Sequence, residues 1–452
     1  MFKWKPLSML LIGCMLLITA CNGGGSTPSV TNESVNKKPE DKVVNEQTKP
    51  VEETIDLKGR VIRIAAWWDL TPPGNTASEK ARLAKITELE KKYNMTIEFV
   101  NVPFDEYVNK FTTTVLAGEP FADIVKLEYK AALPAVLKGQ LMPLSDFTKP
   151  ESDINKEQIL VAKSPSIAGG EYAFDNPTTL SVGIHYNRDV FKKLGLPDLH
   201  DVYNKGEWTW DKLLEIAKQA TKDSDNDGKI DTYGFSAWAG LMGRHLAAAN
   251  GAKVVDDAAG KEGLSDPRTI EAIEFLNKLY NVEKVTKIKT GNKTNWEETD
   301  TFKDGNVAMF VGAEWQMRDL TFDIGVVPFP LGPQGSKEMT YANTAAAANF
   351  IPKGVKDPQI VYQIFEEMQD IPQLEEYPGQ DYLESLYGHE EDIQMIREHI
   401  YGTGLIVLDD AYPDFPFNSF IEDIIQNNAS VAATAEKYKQ QAQASVDKLS
   451  KS

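Results

Sequence analysis

The sequence predicts an α/β protein built as two lobes, and three observations carry that expectation. About 395 of the 452 residues remain once a polar N-terminal stretch is set aside, more than a single hydrophobic core encloses. Residues 61–129 alternate strand, helix, strand, helix, strand, the order that builds a parallel sheet covered on both faces. Val307-Ala308-Met309-Phe310-Val311 is an unbroken apolar run, too short for an independent helix and suited to a strand buried on both faces.

The chain opens with Lys3 and Lys5, followed by an uncharged stretch from Leu7 to Ala20. At roughly 14 residues it falls short of the about 20 that span a membrane and fits a signal peptide. Its end, Leu17-Ile18-Thr19-Ala20-Cys21, runs into Asn22-Gly23-Gly24-Gly25 and resembles a bacterial lipoprotein signal. The resemblance implies that residues 1–20 are removed and that Cys21 becomes the lipid-modified, palmitate-bearing first residue. Cys14 leaves with the signal, so of the 2 cysteines none remains to form a disulfide. Residues 21–56 are rich in Ser, Thr, Asn, Lys, Glu and Pro and bury too little to order themselves. They are expected to be a disordered tether.

A net charge of −19 argues against nucleic acid as a partner and against adhesion to an anionic bilayer through basic patches. No repeat of solenoid period and no apolar run of membrane length follows the signal.

The folded part begins with a strand, Val61 to Ala66, ending in Trp67-Trp68-Asp69. A helix from about Ser78 to Tyr93 places Leu83, Ile86, Leu89 and Tyr93 at helical spacing. A strand at Thr96–Val100, a helix from about Phe104 to Ala117 and a short strand at Ala122–Val125, ending near Glu128 and Tyr129, complete the first half. Tyr172 is expected on a short strand and Thr179–Tyr186 in an extended segment, with a helix at Asp189–Leu194. Thr209 then caps a helix running to about Thr221, and Tyr233–Ser236 is a strand leading to Trp238. Around the apolar run, Lys303-Asp304-Gly305-Asn306 is a turn, and Gly312 is expected to turn the backbone sharply before Trp315. Ligands of open α/β sheets bind outside the carboxyl ends of strands, so large aromatics there can stack on sugar rings. The tail reads as helices at Ile360–Met368, Glu391–Tyr401, Phe420–Asn427 and Ala429–Leu449.

Several stretches in order carry a wider resemblance: Gly170, Tyr172 and Pro177; an extended run into Tyr186-Asn187; Phe191 and Leu194-Gly195; Trp208-Thr209-Trp210 before a helix; and Phe302 to Trp315. Leu141-Met142-Pro143-Leu144 and Tyr341-Ala342-Asn343 add to it. Together they resemble the family 1 extracellular solute-binding proteins, the substrate-capturing lipoproteins of carbohydrate ABC importers. The resemblance runs from about Gly59 to Pro358. One departure is Asp175-Asn176-Pro177, where the family more often has proline directly after Tyr-Ala.

The resemblance implies a two-lobe, periplasmic-binding-protein-like fold with the ligand in a cleft between lobes. One lobe would comprise residues 57–176 and 326–370, the other 177–325 and 371–452. Crossovers would lie near Asn176–Ser181 and Phe322–Val327. The protein would capture a sugar or oligosaccharide as a monomer and deliver it to permease subunits of an ABC transporter. Trp67, Asp69, Glu128, Tyr129, Trp315 and Asn343 match cleft positions, and Trp238 is a further candidate. Trp68, Trp208, Trp210 and Trp296 are assigned to packing.

Asp223-Ser224-Asp225-Asn226-Asp227-Gly228-Lys229-Ile230-Asp231 has carboxylates at period two with a glycine for the sharp turn. This predicts a structural Ca2+ held by Asp223, Asp225, Asp227, the Lys229 carbonyl and Asp231. The twelfth position is Gly234 rather than a bidentate Glu, so this is not a full helix–loop–helix hand.

None of the five histidines forms a His-Glu-x-x-His zinc pair, and no nucleophile elbow or phosphate-binding glycine loop is present. An enzyme is therefore not expected. Two carboxylates roughly 5–9 Å apart would suffice for a glycoside hydrolase, and nothing in the sequence raises that above background. A surface glycan-binding or sensory protein without transport is the other alternative.

Overall fold

The computed structural model describes residues 55–146, 172–178, 182–336, 342–343, 347–377, 379–400, 405–406, 409–412 and 414–450. The expected signal peptide, Cys21 and the tether up to residue 54 lie outside the described residues; the tether's expected last two residues are instead part of the fold, Ile55 packing on the first lobe's core and Asp56 accepting the Lys58 N–H at 2.8 Å. Strand β1 (Arg60–Ala66) buries Ile62, Ile64, Ala65 and Ala66. Helix α1 (Ala77–Tyr93) starts where the Thr76 hydroxyl accepts the Glu79 N–H and the Glu79 carboxylate accepts the Thr76 N–H. It buries Ile86, Leu89 and Tyr93, one face at helical spacing, and ends at left-handed Asn94. Strand β2 (Met95–Asn101) runs parallel to β1 along its whole length. Helix α2 (Phe104–Leu116) leads to β3 (Ile124–Glu128), also parallel to β1. β3 starts two residues later than the expected Ala122; Asp123, just before it, ties to β1 through its N–H on the Arg63 carbonyl at 2.8 Å and through its carboxylate, which accepts from Arg60 and the Arg63 N–H. Helix α3 (Tyr129–Leu137) follows without a loop.

Strand β4 (Phe174–Thr178) closes this first passage, and Tyr172 precedes the strand rather than lying on it. The chain then enters a second sheet. Strand β5 (Val182–Asn187) is followed by α4 (Arg188–Leu194), α5 (Leu199–Asn204) and α6 (Trp210–Ala220), the last capped by Thr209 as expected. Then come β6 (Tyr233–Ser236), α7 (Ala239–Ala249), a small hairpin of β7 (Val255–Asp256) and β8 (Lys261–Glu262), and α8 (Pro267–Asn277). A one-turn helix α9 (Trp296–Thr299), strand β9 (Val307–Ala313) and β10 (Ile324–Val327) complete the sheet, in the order β10-β5-β9-β6. Every residue of β9 is buried, as the apolar run requires.

Gly312 belongs to β9 itself, which corrects its expected role as a turn. A Cβ there would lie 2.1 Å from the Phe310 ring and 2.8 Å from Gln316 Oε1, so glycine serves close packing. Gly305 does make the turn before the strand, at φ 77°.

β10 also corrects the expected return crossover at Phe322–Val327: it pairs antiparallel with β5 and stays in the second sheet. The chain regains the first sheet only at β12 (Ala347–Phe350), after the short β11 (Ala342–Asn343). The first sheet then reads β2-β1-β3-β12-β4. Helix α10 (Pro358–Gln369) packs beside α1. Helices α11 (Gln380–Leu386) and α12 (Glu390–His399) cover β9 and β10. Strand β13 (Leu405–Ile406) pairs with β11, and the turn Asp409–Ala411 lies on α3. Helices α13 (Phe417–Ile425) and α14 (Val431–Ser450) pack on α7 and α8. Each sheet has its own buried clusters, and Thr54–Ser452 together form one compact unit. Among the described residues no helix is long and apolar enough to cross a membrane.

Candidate functional site

Strand register decides which ends of the two sheets meet. β1, β2 and β3 are parallel, so their carboxyl ends line one edge. Ala347 pairs with Glu128 and with Thr178, which puts the start of β12 and the end of β4 on that edge too. In the second sheet, Val182 pairs with Ala313, Ile184 with Val327 and Phe310 with Ser236. The ends of β6, β9 and β10 thus share an edge with the start of β5. The chain leaves the first edge at Thr178 and enters the second at Val182. Four peptide steps reach at most about 15 Å. The return, between Val327 and Ala347, joins the same two edges. Both crossings therefore tie carboxyl edge to carboxyl edge, where α/β sheets bind ligands.

On the first edge Trp67, half-buried, meets Trp68, Phe104 and Tyr107 edge-on at 4.8, 5.7 and 5.8 Å between ring centroids. Trp68 is 36% and Phe104 53% exposed. Lys126 Nζ lies 5.7 Å from the Trp68 ring and Lys130 Nζ 5.2 Å from that of Phe104. The exposed Asp69 carboxylate accepts the Thr71 N–H at 2.9 Å, which holds its pKa below the ordinary carboxylate value. Glu128 pairs with Lys130 at 2.6 Å. Tyr129 departs from its expected place: only 4% exposed, its ring sits in the core against Phe350. Its hydroxyl is buried with no hydrogen-bond partner among the described residues, and burial pushes its pKa up.

On the second edge Trp315 is 42% exposed and leans on Trp296, 36% exposed, with centroids 5.9 Å apart and planes at 34°. Trp238 is half-buried; its Nε1–H donates to the Thr294 carbonyl at 2.9 Å, and the Arg244 guanidinium lies 5.8 Å from its ring. Ser236, last residue of β6, donates to the Thr299 carbonyl, which fastens α9 to this edge. Asn343 lies on β11, of which only the backbone is described.

Trp208 and Trp210 are core residues, as expected. Trp68 and Trp296, assigned to packing, each lean on a neighbouring indole yet stay 36% exposed, and the exposed Phe104 joins the first edge without having been a candidate. Its signal was its place: it starts α2 directly after the carboxyl end of β2, as Trp67 follows β1.

The acidic loop brings carboxylate oxygens of Asp223, Asp225 and Asp227 within 4.8 Å of one another. Backbone N–H groups of Asp227 and Gly228 donate to Asp223 at 3.2 and 2.9 Å, and Gly228 takes φ 89°. Asp231 accepts the Ser224 N–H at 2.6 Å, and Lys229 Nζ lies 3.6 Å from Asp227. Three converging carboxylates on a short, turn-forming loop fit a hard cation.

A cavity of about 380 Å³ lies elsewhere, between α5 and α12, lined by Asp198, His200, Asp201, Glu391, Glu398 and His399 among others. It offers no indole or phenol face, so it lacks the surface a sugar ring stacks on.

Residues 73–369, well over half of the chain, match the profile described as bacterial extracellular solute-binding protein. No curated protein sequence matches the chain. Among solved structures, UspC of M. tuberculosis is 17% identical with a TM-score of 0.62, covering 85% of this chain and 100% of its own. The ABC substrate-binding protein Lmo0181 of Listeria monocytogenes, in complex with cycloalternan, is 18% identical with a TM-score of 0.59, covering 87% and 98%. The GacH receptor of Streptomyces glaucescens, studied in complex with acarbose, is 16% identical with a TM-score of 0.62, covering 86% and 99%.

Proposed function

The chain belongs to the bacterial extracellular solute-binding protein family, and from that premise we propose that it captures a carbohydrate between its two sheet edges and delivers it to an ABC importer. The observation that carries this reading is that the chain joins the two sheets through their carboxyl edges, each of which bears exposed indoles. Indole faces stack on the C–H faces of pyranose rings, while edge carboxylates and lysines bond hydroxyls. Asp69, Glu128 and Trp315 are the contacts expected from each side. Carbohydrate-bound neighbours of the same fold are consistent with it.

Hinge motion at the segments that join the lobes would bring the edges together around the ligand, and the closed form would dock on the permease. Cys21 carries the lipid anchor that keeps the receptor on the extracellular face. The loop of Asp223, Asp225 and Asp227 holds a structural Ca2+, completed by the Lys229 carbonyl, Asp231 or water.

A thermal-shift screen of neutral glycans on the full chain tests the reading. At least one glycan raises the melting temperature, and Trp315→Ala weakens its binding by at least ~1 kcal/mol, the scale of one ring stack. Unchanged affinity in that variant removes Trp315 from the site. A cleaved glycan would point to a hydrolase, and an importer that works without the protein would point to a non-transport glycan receptor.

A further inference from the structure

We propose that the cavity between α5 and α12 is a second binding site, for a small organic cation charged at both ends, of the class of linear diamines. The proposal goes beyond the carbohydrate reading and does not depend on it.

The two helices run side by side in the same direction. At their starts the Arg188 guanidinium bridges them, with Nε 3.9 Å from Asp198 and Nη2 2.9 Å from Glu391. At their ends the Tyr203 ring of α5 meets the His399 ring of α12, centroids 5.4 Å apart. The groove between them holds about 380 Å³, within the roughly 300–1,000 Å³ of small-molecule sites. Four of its lining residues are carboxylates and none is Lys or Arg. Glu391 and Glu398 stand two turns apart, about 10 Å along α12 at roughly 1.5 Å per residue. Arg188 offsets part of the charge at the first end. At the other, Glu398 has His399 Nε2 at 3.9 Å and the Gln394 amide at 2.8 Å, and Asp201 makes no ion pair among the described residues. Midway along α12 the buried Met395 offers an apolar floor. Negative charge at both ends with an apolar wall between is the complement of an alkyl chain carrying an ammonium at each end. A metal ion is a poorer match: among the described residues only Asp223, Asp225 and Asp227 bring three ligating oxygens within 4.8 Å.

Surface carboxylates are common without a ligand, and His200 sets this groove apart. It is 6% exposed and lines the groove. Its Nε2 faces two acceptors, the Asp392 carboxylate at 2.9 Å and the Val326 carbonyl at 3.0 Å, which hold the ring proton there. Nδ1 makes no hydrogen bond among the described residues, so the neutral ring turns a lone pair toward the groove. A bound ammonium satisfies it. Burial opposes a charge on His200, but the hydrogen bond and charge of Asp392, helped by Glu391 and Asp198, raise its pKa. The other groups facing the ring are Tyr186 on β5, 6.3 Å away between centroids, and Arg188 on α4, which pairs with the same Asp392 at 2.8 Å. A proton on Nδ1 and an ammonium beside it exclude each other. Amine binding therefore tightens as pH rises through the raised value.

The test is calorimetric titration of the full chain, at fixed ionic strength, with putrescine and with n-butylamine as its singly charged analogue. Putrescine is expected to saturate one site and to bind about fivefold tighter than n-butylamine, the scale of one further solvated ion pair. Glu398→Gln removes that advantage. His200→Gln still binds putrescine but loses the rise in affinity that the wild type shows between about pH 6 and 8. Glu436→Gln, on the exposed face of α14, makes the same change in net charge and leaves putrescine binding as it was. Absence of saturable binding overturns the site. So does equal affinity for the two amines, or a loss in Glu436→Gln as large as in Glu398→Gln, which would reduce the effect to the overall negative charge.

Discussion

Two histidines on the second lobe respond to their surroundings in opposite directions. His185 on β5 is enclosed, with Nε2 2.8 Å from the Tyr387 hydroxyl, and burial holds its pKa down to about 3. Burial also works against a charge on His200, but the hydrogen bond and charge of Asp392, 2.9 Å away, outweigh it and raise the pKa. For His185 the unfolded chain takes up the proton first, so stability falls as pH drops below about 6.5 toward 3. For His200 the folded state holds the proton more tightly. Its contribution is full below about 6.5 and is lost as pH rises through the raised value. Urea unfolding across this range is expected to show a smaller acid-side loss in His185→Gln and a smaller alkaline-side loss in His200→Gln. Identical pH slopes in the wild type and both variants would contradict these assignments. At the same scale, residue type was legible where position was not. The sequence marks Trp67 and Trp315 by their place after strands, but Trp68 and Trp296 look like any core indole. Their exposure is set by what the fold fails to lay over them.

At the scale of elements, period and caps were legible because they are local. α1 begins at a Thr76–Glu79 capping box and α6 at Thr209, and β9 is buried throughout as its composition demands. Pairing was not. Ile324–Val327 is a four-residue apolar run that suits either sheet, and only its ladder to β5 assigns it to the second. Gly312 could be read as a turn because close packing against Phe310 involves a non-adjacent ring. The acidic loop makes its own prediction at this scale. With Ca2+ bridging Asp223, Asp225 and Asp227, chelation lowers the melting temperature of the wild type by releasing ligand-linked stability. Asp225→Ala melts at the same temperature with or without chelator. An equal response in both proteins would discard the ion.

Across the whole molecule, two sheets are joined through their carboxyl edges, and the C-terminal segment touches both lobes. Arg244 on α7 of the second lobe is fully buried and bonds Asp409 at 2.7 Å and Asp410 at 2.8 Å. These carboxylates stand on the turn that lies on α3 of the first lobe, and Ala411 enters the first lobe's core. Removing one partner of such a pair strands a buried charge, so this contact is expected to persist while the cleft opens and closes. Two lobes were legible from length and element order, whereas this strap was not, since its ion pair joins residues 165 positions apart. The facing of the two edges is the claim on which the functional account depends. Its most direct measurement is the distance between spin labels on Arg82→Cys in α1 and Asp381→Cys in α11, both exposed, in a chain carrying Cys14→Ser and Cys21→Ser. Addition of a glycan that raises the melting temperature is expected to shift the distance distribution as the lobes close. A distribution that the bound glycan leaves unchanged would contradict the account.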